Sequence, residues 1–215
     1  MSIMNPEQTR DLYNRIAYRY DKLWLRYKLL GMDRKRQELV SSLNLRPGET
    51  VVDLCCGTGL NFTYLAKAVG PTGKIIGVDI SEQMLARARN RLKPDTLTSV
   101  ELVAESVQDY KIPFGVSAVI STFGLEMVPE YDVVIENITD ALPPAGRFGL
   151  LGLKCPENWP EWIINLGVKM NESFGVSREY EDFKPWVSAN RYLETLEFET
   201  LLFGSAYMCL SQKQT

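Results

Sequence analysis

Glycines and carboxylates in the first half of the chain are spaced so that they could bind a ligand together. The segment VVDLCCGTG, residues 51–59, is a short apolar run that closes in Gly57 and Gly59. Glycine removes side chains where the chain turns sharply and where a ligand approaches closely. Asp79 ends the next apolar run, where an acid can accept hydrogen bonds from both ribose hydroxyls. Asp53, inside the glycine segment, either holds the loop or reaches an ammonium group through water.

The glycine segment lacks the residues that bind phosphates. A dinucleotide fingerprint has a third glycine three positions after the second, and that position is Phe62 here. A P-loop needs Gly-Lys-Ser/Thr, whereas Gly59 is followed by Leu60-Asn61. The pattern therefore predicts an adenosine ligand without phosphates. An NAD-binding oxidoreductase stays open as an alternative, although Phe62 disfavours it.

The chain contains no histidine, which excludes Ser-His-Asp triads, Cys-His pairs and histidine-bearing metal sites. Its four cysteines form no C-x-x-C pair, so we expect neither a disulfide framework nor a metal. This cysteine usage, and a start (MSIMNPEQTR) without an apolar leader, predict a reduced, cytoplasmic protein. Association with a membrane face stays open.

Charge is unevenly distributed along the chain. The net charge of −3 gives no indication of nucleic-acid binding, and we expect no such partner. Residues 1–40 hold nine Lys/Arg and five Asp/Glu, so this segment is +4 and the remainder is −7. A basic segment of this kind is either a solvated helix face or a surface for an anionic substrate or a membrane.

Hydrophobic periodicity predicts the elements that position these residues. Apolar residues at spacings of three and four predict helices over 7–30 and 33–43. Beyond them, buried strands alternate with helices of about 10–15 residues, which indicates a parallel sheet covered on both faces. The predicted strands are 51–54, 74–79, 99–103, 116–121 and 146–153; the predicted helices are 60–69, 82–92 (with Ser81 as N-cap) and 129–142. The segments 198–203 and 206–210 flank Gly204-Ser205 and predict a tight antiparallel hairpin.

The sequence thus predicts an α/β fold. Its doubly wound, mostly parallel seven-stranded sheet ends in an antiparallel hairpin, and an N-terminal helical lid spans 1–45. The ligand is expected beyond the carboxyl ends of the strands.

Residues 9–155 resemble a class I S-adenosylmethionine-dependent methyltransferase. They are most similar to the branch of ubiquinone/menaquinone-biosynthesis C-methyltransferases and bacterial phospholipid N-methyltransferases. The matching stretches are YNRIA with Tyr20-Asp21, DLCCGTG, GKIIGVDISEQML, STFGLEMVPEYD and LPPAGRFGLL. The resemblance implies a methyltransferase domain over 46–215, with 156–195 as an acceptor-side insertion and 196–215 as the terminal hairpin.

The resemblance also implies site residues for S-adenosylmethionine. Asp53, Cys55, Gly57 and Gly59 would hold its methionine part. Asp79 would bind the ribose. The other implied contacts are Ile80 and Met84 beside the adenine, Glu105 and Ser106 at the adenine amine, Ser121, Thr122 and Phe123 beside the sulfonium, and Tyr13 and Tyr20 in the lid.

Methyl transfer from a cationic sulfur requires in-line alignment and exclusion of water. Aromatic faces attract cations, and the candidates are Tyr13, Tyr18, Tyr20, Trp24 and Phe123. Without histidine, a base must be a carboxylate, a tyrosine or water. We therefore assign Glu126, which follows the fourth strand, and Tyr20 as catalytic candidates.

Two features of the sequence bear on the identity of the methyl acceptor. Quinone enzymes of this branch usually have Arg-Asn where this chain has Glu126-Met127, and an anion there favours a cationic or amino acceptor. A helical stripe over 156–175 (Trp159, Trp162, Ile163, Leu166 and Met170) either covers the core or forms an acceptor pocket or membrane surface.

The leading prediction is a lipid headgroup amine or another hydrophobic or amino small molecule, with transient membrane contact. The alternatives are C-methylation of a quinone precursor, methylation of a soluble metabolite, and a cofactor-binding module without turnover. The oligomeric state stays open.

Overall fold

A seven-stranded sheet lies at the centre of the computed structural model, which describes residues 3–92 and 100–214. The strands are β1 (Thr50–Leu54), β2 (Lys74–Asp79), β3 (Val100–Ala104), β4 (Ala118–Thr122), β5 (Arg147–Leu153), β6 (Glu194–Leu201) and β7 (Ala206–Gln212). The helices are α1 (Pro6–Leu29), α2 (Met32–Ser42), α3 (Phe62–Val69), α4 (Glu82–Arg91), α5 (Tyr131–Ala141), α6 (Glu161–Asn171) and α7 (Pro185–Tyr192).

The strand order is β3-β2-β1-β4-β5-β7-β6. Strands β1 to β5 are parallel, and β7 pairs antiparallel with both β5 and β6. The predicted fold class is confirmed. Because the order reverses between β1 and β4, their following loops diverge to opposite faces and leave a crevice beyond the strand ends.

The apolar strands are buried on both faces. In β1, Val52 and Leu54 belong to one hydrophobic cluster, whereas Val51 belongs to the cluster on the other side. This arrangement explains why β1 has a continuous apolar run rather than an alternating one. The edge strand β6 is mostly exposed, with Thr195 and Glu199 partly buried and Leu201 buried.

Helix α1 is fixed across the strand ends by its capping and its side chains. It begins with a capping box between Asn5 and Gln8. In its middle, the Asn14 side-chain oxygen accepts hydrogen bonds from the Ser81 hydroxyl (2.7 Å) and the Gln83 N–H (3.2 Å) at the start of α4. Gly31, with φ of +82°, turns the chain into α2.

Several predicted boundaries shift in the structure. Helix α3 begins at Phe62 rather than at residue 60, because the chain is still turning at Gly59. The predicted start of the third strand, Ser99, lies outside the described residues. The hairpin strands are longer than predicted, and the connection between them is a four-residue segment in which Leu202 and Phe203 both have positive φ. The predicted tight turn at Gly204-Ser205 is therefore wrong.

Helix α6 contains no buried residue, so the interpretation of its apolar stripe as core-covering is wrong. Trp162, Leu166 and Met170 are at least half exposed. No helix in the described ranges is long and apolar enough to cross a membrane. The division of the chain at residue 45 and the insertion at 156–195 stay predictions.

Gly77 in β2 allows α3 to pack closely on the sheet. A Cβ at Gly77 would lie 2.6 Å from the ring of Phe62, which is fully buried and cannot move away. We expect Gly77→Ala to lower the free energy of unfolding by about 1–3 kcal/mol. The same change at Gly167 in α6, where a Cβ meets nothing within 4 Å, should raise that free energy by about 0.5–1 kcal/mol. Urea unfolding measures both, and equal effects would contradict this packing account.

Candidate functional site

Three adjoining cavities open beyond the carboxyl ends of β1, β2 and β4. The strand-end cavity, of about 680 Å³ including its open mouth, is lined by residues from α1, the glycine loop and the loops after β2, β3 and β4. Tyr13, Tyr20, Phe123 and Met127 separate it from a smaller aromatic chamber and border both. The chamber in turn shares Glu126 with a large apolar cavity. Neighbouring cavities therefore share part of their walls.

Asp79 lies at the inner wall of the strand-end cavity and is buried. Its carboxylate accepts hydrogen bonds from the N–H groups of Gly57 (2.8 Å) and Ser81 (2.9 Å). Burial raises the pKa of Asp79 to about 6, and the two hydrogen bonds limit the rise. The group is therefore mostly ionised at neutral pH and can accept hydrogen bonds from hydroxyls. Ser81, not Asp79, caps α4, because its hydroxyl accepts from the Met84 N–H (3.1 Å).

The two glycines of the loop have different environments. Gly57 has φ of +55° and borders the strand-end cavity, and a Cβ there would point into open space. Gly59 has φ of +73° and lies outside the cavity lining, where a Cβ would lie 2.6 Å from the Phe62 ring. Gly59 thus serves the turn into α3 rather than close approach of a ligand. Cys55, also at positive φ, borders the cavity.

Aromatic rings form the wall between the strand-end cavity and the aromatic chamber. The Tyr13 hydroxyl donates to the Phe174 carbonyl oxygen (3.2 Å), and the Tyr20 ring meets the Phe174 ring edge-on at 5.6 Å. Burial raises the pKa of both Tyr13 and Tyr20, so neither is suited to act as a base. Phe123 has φ of +57°, a strained value for a non-glycine residue. Tyr18 is 59% exposed and lies outside the three cavities, which corrects its assignment.

A buried polar network lies beneath the site. The Arg36 guanidinium donates to the Asn61 side-chain oxygen (2.6 Å) and to the Thr122 hydroxyl, and its carbon lies 4.8 Å from the centre of the Trp24 ring. Asn61 donates to Asp53 (2.9 Å), whose pKa is raised to about 7 by burial.

Three residues of this region lie outside the strand-end cavity, contrary to the cofactor contacts that the resemblance implied. Asp53, Ser121 and Thr122 are buried within the fold and do not line the cavity. The cause is that Asp53 and Thr122 turn toward Asn61 and Arg36 rather than toward the crevice.

The loops after β2 and β3 supply a largely apolar slot. Ile80, Met84, Val107, Ser106 and Gln108 line it. The neighbouring residue Glu105 is exposed and outside the lining, because its backbone N–H bonds to the Asp79 carbonyl oxygen (3.2 Å) and its side chain faces solvent. Glu105 is therefore wrong as a contact of the adenine amine, whereas Ser106 borders the cavity and stays a candidate.

Glu126 is buried where the aromatic chamber meets the apolar cavity. Its carboxylate lies over the backbone of Gly152, at which a Cβ would come within 2.7 Å of Oε2. Oε1 accepts a hydrogen bond from the Leu153 N–H (3.1 Å). Burial raises the pKa of Glu126 to about 7, the range in which a carboxyl group can accept and release protons at neutral pH.

The lining suits a cationic ligand without phosphates. Within residues 3–92 and 100–214, Asp79 is the only charged side chain that borders the strand-end cavity. A dinucleotide would require phosphate-binding groups, whereas a sulfonium is favoured by ring faces and by a nearby carboxylate. The acid at the end of β2, the open space at Gly57 and the apolar slot all fit S-adenosylmethionine. Fold and site together define a class I S-adenosylmethionine-dependent methyltransferase.

Comparison with known proteins agrees with this class. Residues 1–160 match the ubiE/COQ5 methyltransferase family. A demethylmenaquinone methyltransferase of Lactobacillus johnsonii is 32% identical over 216 aligned positions, which cover 92% of this chain and 87% of that protein. This chain belongs to the ubiE/COQ5 methyltransferase family and is an S-adenosylmethionine-dependent methyltransferase acting on a small-molecule acceptor.

Solved structures show the same fold at low sequence identity. A SAM-dependent methyltransferase from Aquifex aeolicus has a TM-score of 0.60 at 18% identity, with 98% of this chain and 99% of that chain covered. The geranyl diphosphate C-methyltransferase from Streptomyces coelicolor A3(2), in complex with S-adenosyl-L-homocysteine, has a TM-score of 0.67 at 15% identity, with 84% and 75% covered. Because the chain belongs to the ubiE/COQ5 methyltransferase family, the NAD-binding alternative is wrong.

The position of Asp79 predicts its contribution to cofactor affinity. We expect Asp79→Asn to weaken S-adenosylmethionine binding by about 10- to 100-fold, because a charged acceptor is lost at the ribose position. Titration calorimetry measures the dissociation constant. Glu105→Gln, an exposed acid in the adjoining loop, is the matched control and should bind normally. Unchanged affinity in Asp79→Asn would contradict the placement of the ribose.

Arg36 is predicted to stabilise the fold. Arg36→Met removes the donor to the buried Asn61 side-chain oxygen and leaves the Thr122 hydroxyl with the Asn61 amide (3.2 Å) as its donor. We expect the free energy of unfolding to fall by about 1–3 kcal/mol. Arg34, two positions earlier on α2, is 84% exposed in its side chain. Arg34→Met should change that free energy by less than about 0.5 kcal/mol. Thermal and urea unfolding compare the two, and equal losses would refute a specific role for the buried network.

Proposed function

We propose that the acceptor is an apolar aromatic compound bearing a hydroxyl group, such as a quinone precursor in its reduced, diol form, and that the methyl group is added to a ring carbon. The observation that carries this proposal is Glu126, a buried carboxyl group at the junction between the apolar cavity and the aromatic chamber. The demethylmenaquinone methyltransferases among the relatives support the same acceptor class.

The apolar cavity is suited to a ring with a hydrocarbon tail. It measures about 1400 Å³ including the space open to solvent. Its inner wall is formed largely by apolar side chains of α6 and by Leu153, Trp159 and Val176, whereas Arg26 lies at the α1 side. Burial of a hydrocarbon tail along such a wall is favourable, by about 25 cal/mol per Å² of apolar surface.

A headgroup amine fits Glu126 less well. An amine must be neutral to attack a methyl group, and a nearby carboxylate favours the charged ammonium form. A nearby carboxylate instead promotes attack by an aromatic ring that bears a hydroxyl group. When the carboxylate accepts the hydroxyl proton, the electron density on the ring carbons increases. The leading sequence-based acceptor is therefore replaced by its alternative, C-methylation.

The roles of the residues follow from their positions. When bound, S-adenosylmethionine supplies a methyl group on a cationic sulfur. Glu126 accepts the hydroxyl proton of the acceptor at its carboxylate, and its pKa near 7 allows it to release that proton to solvent afterwards. The methylated ring carbon then loses its hydrogen as a proton while the ring oxygen regains one, which restores the aromatic diol. Tyr13, Tyr20 and Phe123 enclose the chamber and exclude water, and their ring faces stabilise positive charge.

Glu126 makes the rate dependent on pH. Turnover of a reduced naphthoquinone with a short prenyl chain should rise with pH through about 7, as Glu126 ionises, and then level off. Glu126→Gln should lower kcat by about 100-fold or more and remove this rise. Transfer of label from methyl-labelled S-adenosylmethionine to the extracted product measures the rate.

Two controls make the Glu126 result specific. Glu130→Gln, an exposed acid four residues further on, should leave the pH profile unchanged. Cofactor affinity should be unaltered in Glu126→Gln, because Glu126 does not border the strand-end cavity. An unchanged kcat in Glu126→Gln, or label found only in an amine product of a cell extract, would overturn the proposal.

A further inference from the structure

The carboxylate of Glu126 lies flat against the backbone of β5. A Cβ at Gly152 would be 2.7 Å from Oε2 and 2.8 Å from both Oε1 and the carboxyl carbon. These nearly equal distances place the face of the carboxylate, rather than one edge, against the strand. Hydrogen bonds to such oxygens lie near the plane of the group. The contact with β5 therefore leaves Oε1 able to accept from the Leu153 N–H and leaves Oε2 able to accept from another donor.

The space that the carboxylate occupies exists because residue 152 has no side chain. All three heavy atoms nearest to the position of a Cβ at Gly152 belong to Glu126. Gly152 lies within β5 and has no positive φ, so the backbone conformation there does not require glycine. A glycine inside a strand weakens the strand and often marks a close approach of another group. Here the group that approaches is the Glu126 carboxylate.

The surroundings limit where the carboxylate could move. Tyr207 of β7 is fully buried and pairs in register with Gly152, which places both on the same face of the sheet. Burial, and then the charge of Glu126, raise the pKa of Tyr207, in keeping with this proximity. On the side of the glycine loop, a Cβ at Gly124 would overlap the Cβ of Cys55, so the chain before Glu126 cannot retreat. A displaced carboxylate can therefore move only outward, into the cavities.

We propose that Gly152 is a positioning residue for methyl transfer, because its lack of a side chain holds the Glu126 carboxylate at the junction between the aromatic chamber and the apolar cavity. Gly152 borders none of the three cavities, so it acts through Glu126 rather than on the acceptor. A base must lie within hydrogen-bond reach of the proton that it accepts, and a misplacement of about 1 Å is costly. The consequence for turnover rests on the proposed function, whereas the packing of Glu126 on Gly152 does not.

Gly152→Ala tests the positioning through the reaction. With a water-soluble reduced naphthoquinone at saturation, kcat should fall by about tenfold or more, because the added methyl group displaces the base. The dissociation constant for S-adenosylmethionine should not change, because neither Gly152 nor Glu126 borders the strand-end cavity. Gly149→Ala is the matched control on the same strand. A Cβ at Gly149 would lie 3.0 Å from Leu39 on the opposite face, so this variant should be less stable but keep the wild-type kcat.

A shorter acid at position 126 separates positioning from a general structural effect. Glu126→Asp removes one methylene group and withdraws the carboxylate from β5. Adding Gly152→Ala to this variant should change kcat by less than about twofold, because the methyl group now meets empty space. If Gly152→Ala lowered kcat by the same factor in both backgrounds, its effect would not pass through the Glu126 carboxylate, and the proposal would be overturned.

Urea unfolding tests the same contact without any reaction. Gly152→Ala should lower the midpoint of unfolding in the wild-type protein but not in Glu126→Ala, where the methyl group enters the vacated space. Equal losses in the two backgrounds would contradict the packing of Glu126 on Gly152. An unchanged kcat in Gly152→Ala, with Glu126→Gln inactive, would overturn the positioning alone. A wild-type kcat in Glu126→Gln, with the unfolding midpoints as expected, would overturn the proposed function alone.

Discussion

The Asp79 carboxylate accepts hydrogen bonds from the N–H groups of Gly57 and Ser81, and so joins the loops that follow two adjacent parallel strands. Other features of the site depend on this junction. It fixes the glycine loop at the point where the strand order reverses, and it places an ionised acid beside an open backbone. Ser81 in turn caps α4 and bonds to Asn14, so the same junction also holds α1 across the strand ends.

The chain contains no histidine, and burial raises the pKa of both carboxyl groups at the cavities. Asp79, with a pKa of about 6, stays mostly ionised at neutral pH and can accept hydrogen bonds. Glu126, with a pKa of about 7, can exchange a proton at neutral pH. The two acids lie on opposite sides of the wall formed by Tyr13, Tyr20 and Phe123, Asp79 at the strand-end cavity and Glu126 at the aromatic chamber. The buried cation, Arg36, is turned toward the network beneath the loop instead, which leaves the strand-end cavity to a cationic ligand.

The strand-end cavity and the apolar cavity differ in the charged groups at their walls and in the elements that border them. The strand-end cavity is bordered by one carboxylate, that of Asp79, whereas the apolar cavity is bordered by α6 and by Phe203. Helix α6 has no buried residue, so it stabilises the core little and instead forms a wall with one side toward the apolar cavity and the other toward the surroundings.

Local requirements made the sheet, the glycine loop and the final hairpin predictable from the sequence, because positive φ, apolar periodicity and an acid at a strand end are properties of neighbouring residues. The residues Gly57 and Asp79 accordingly lie where they were expected. Only the tertiary structure placed Arg36, which belongs to a charged run typical of a surface yet is buried against Trp24. Only the tertiary structure likewise shows that Glu105 does not line the strand-end cavity and that Glu126 lies between the aromatic chamber and the apolar cavity. These outcomes depend on contacts between residues far apart in the chain, which no local pattern encodes.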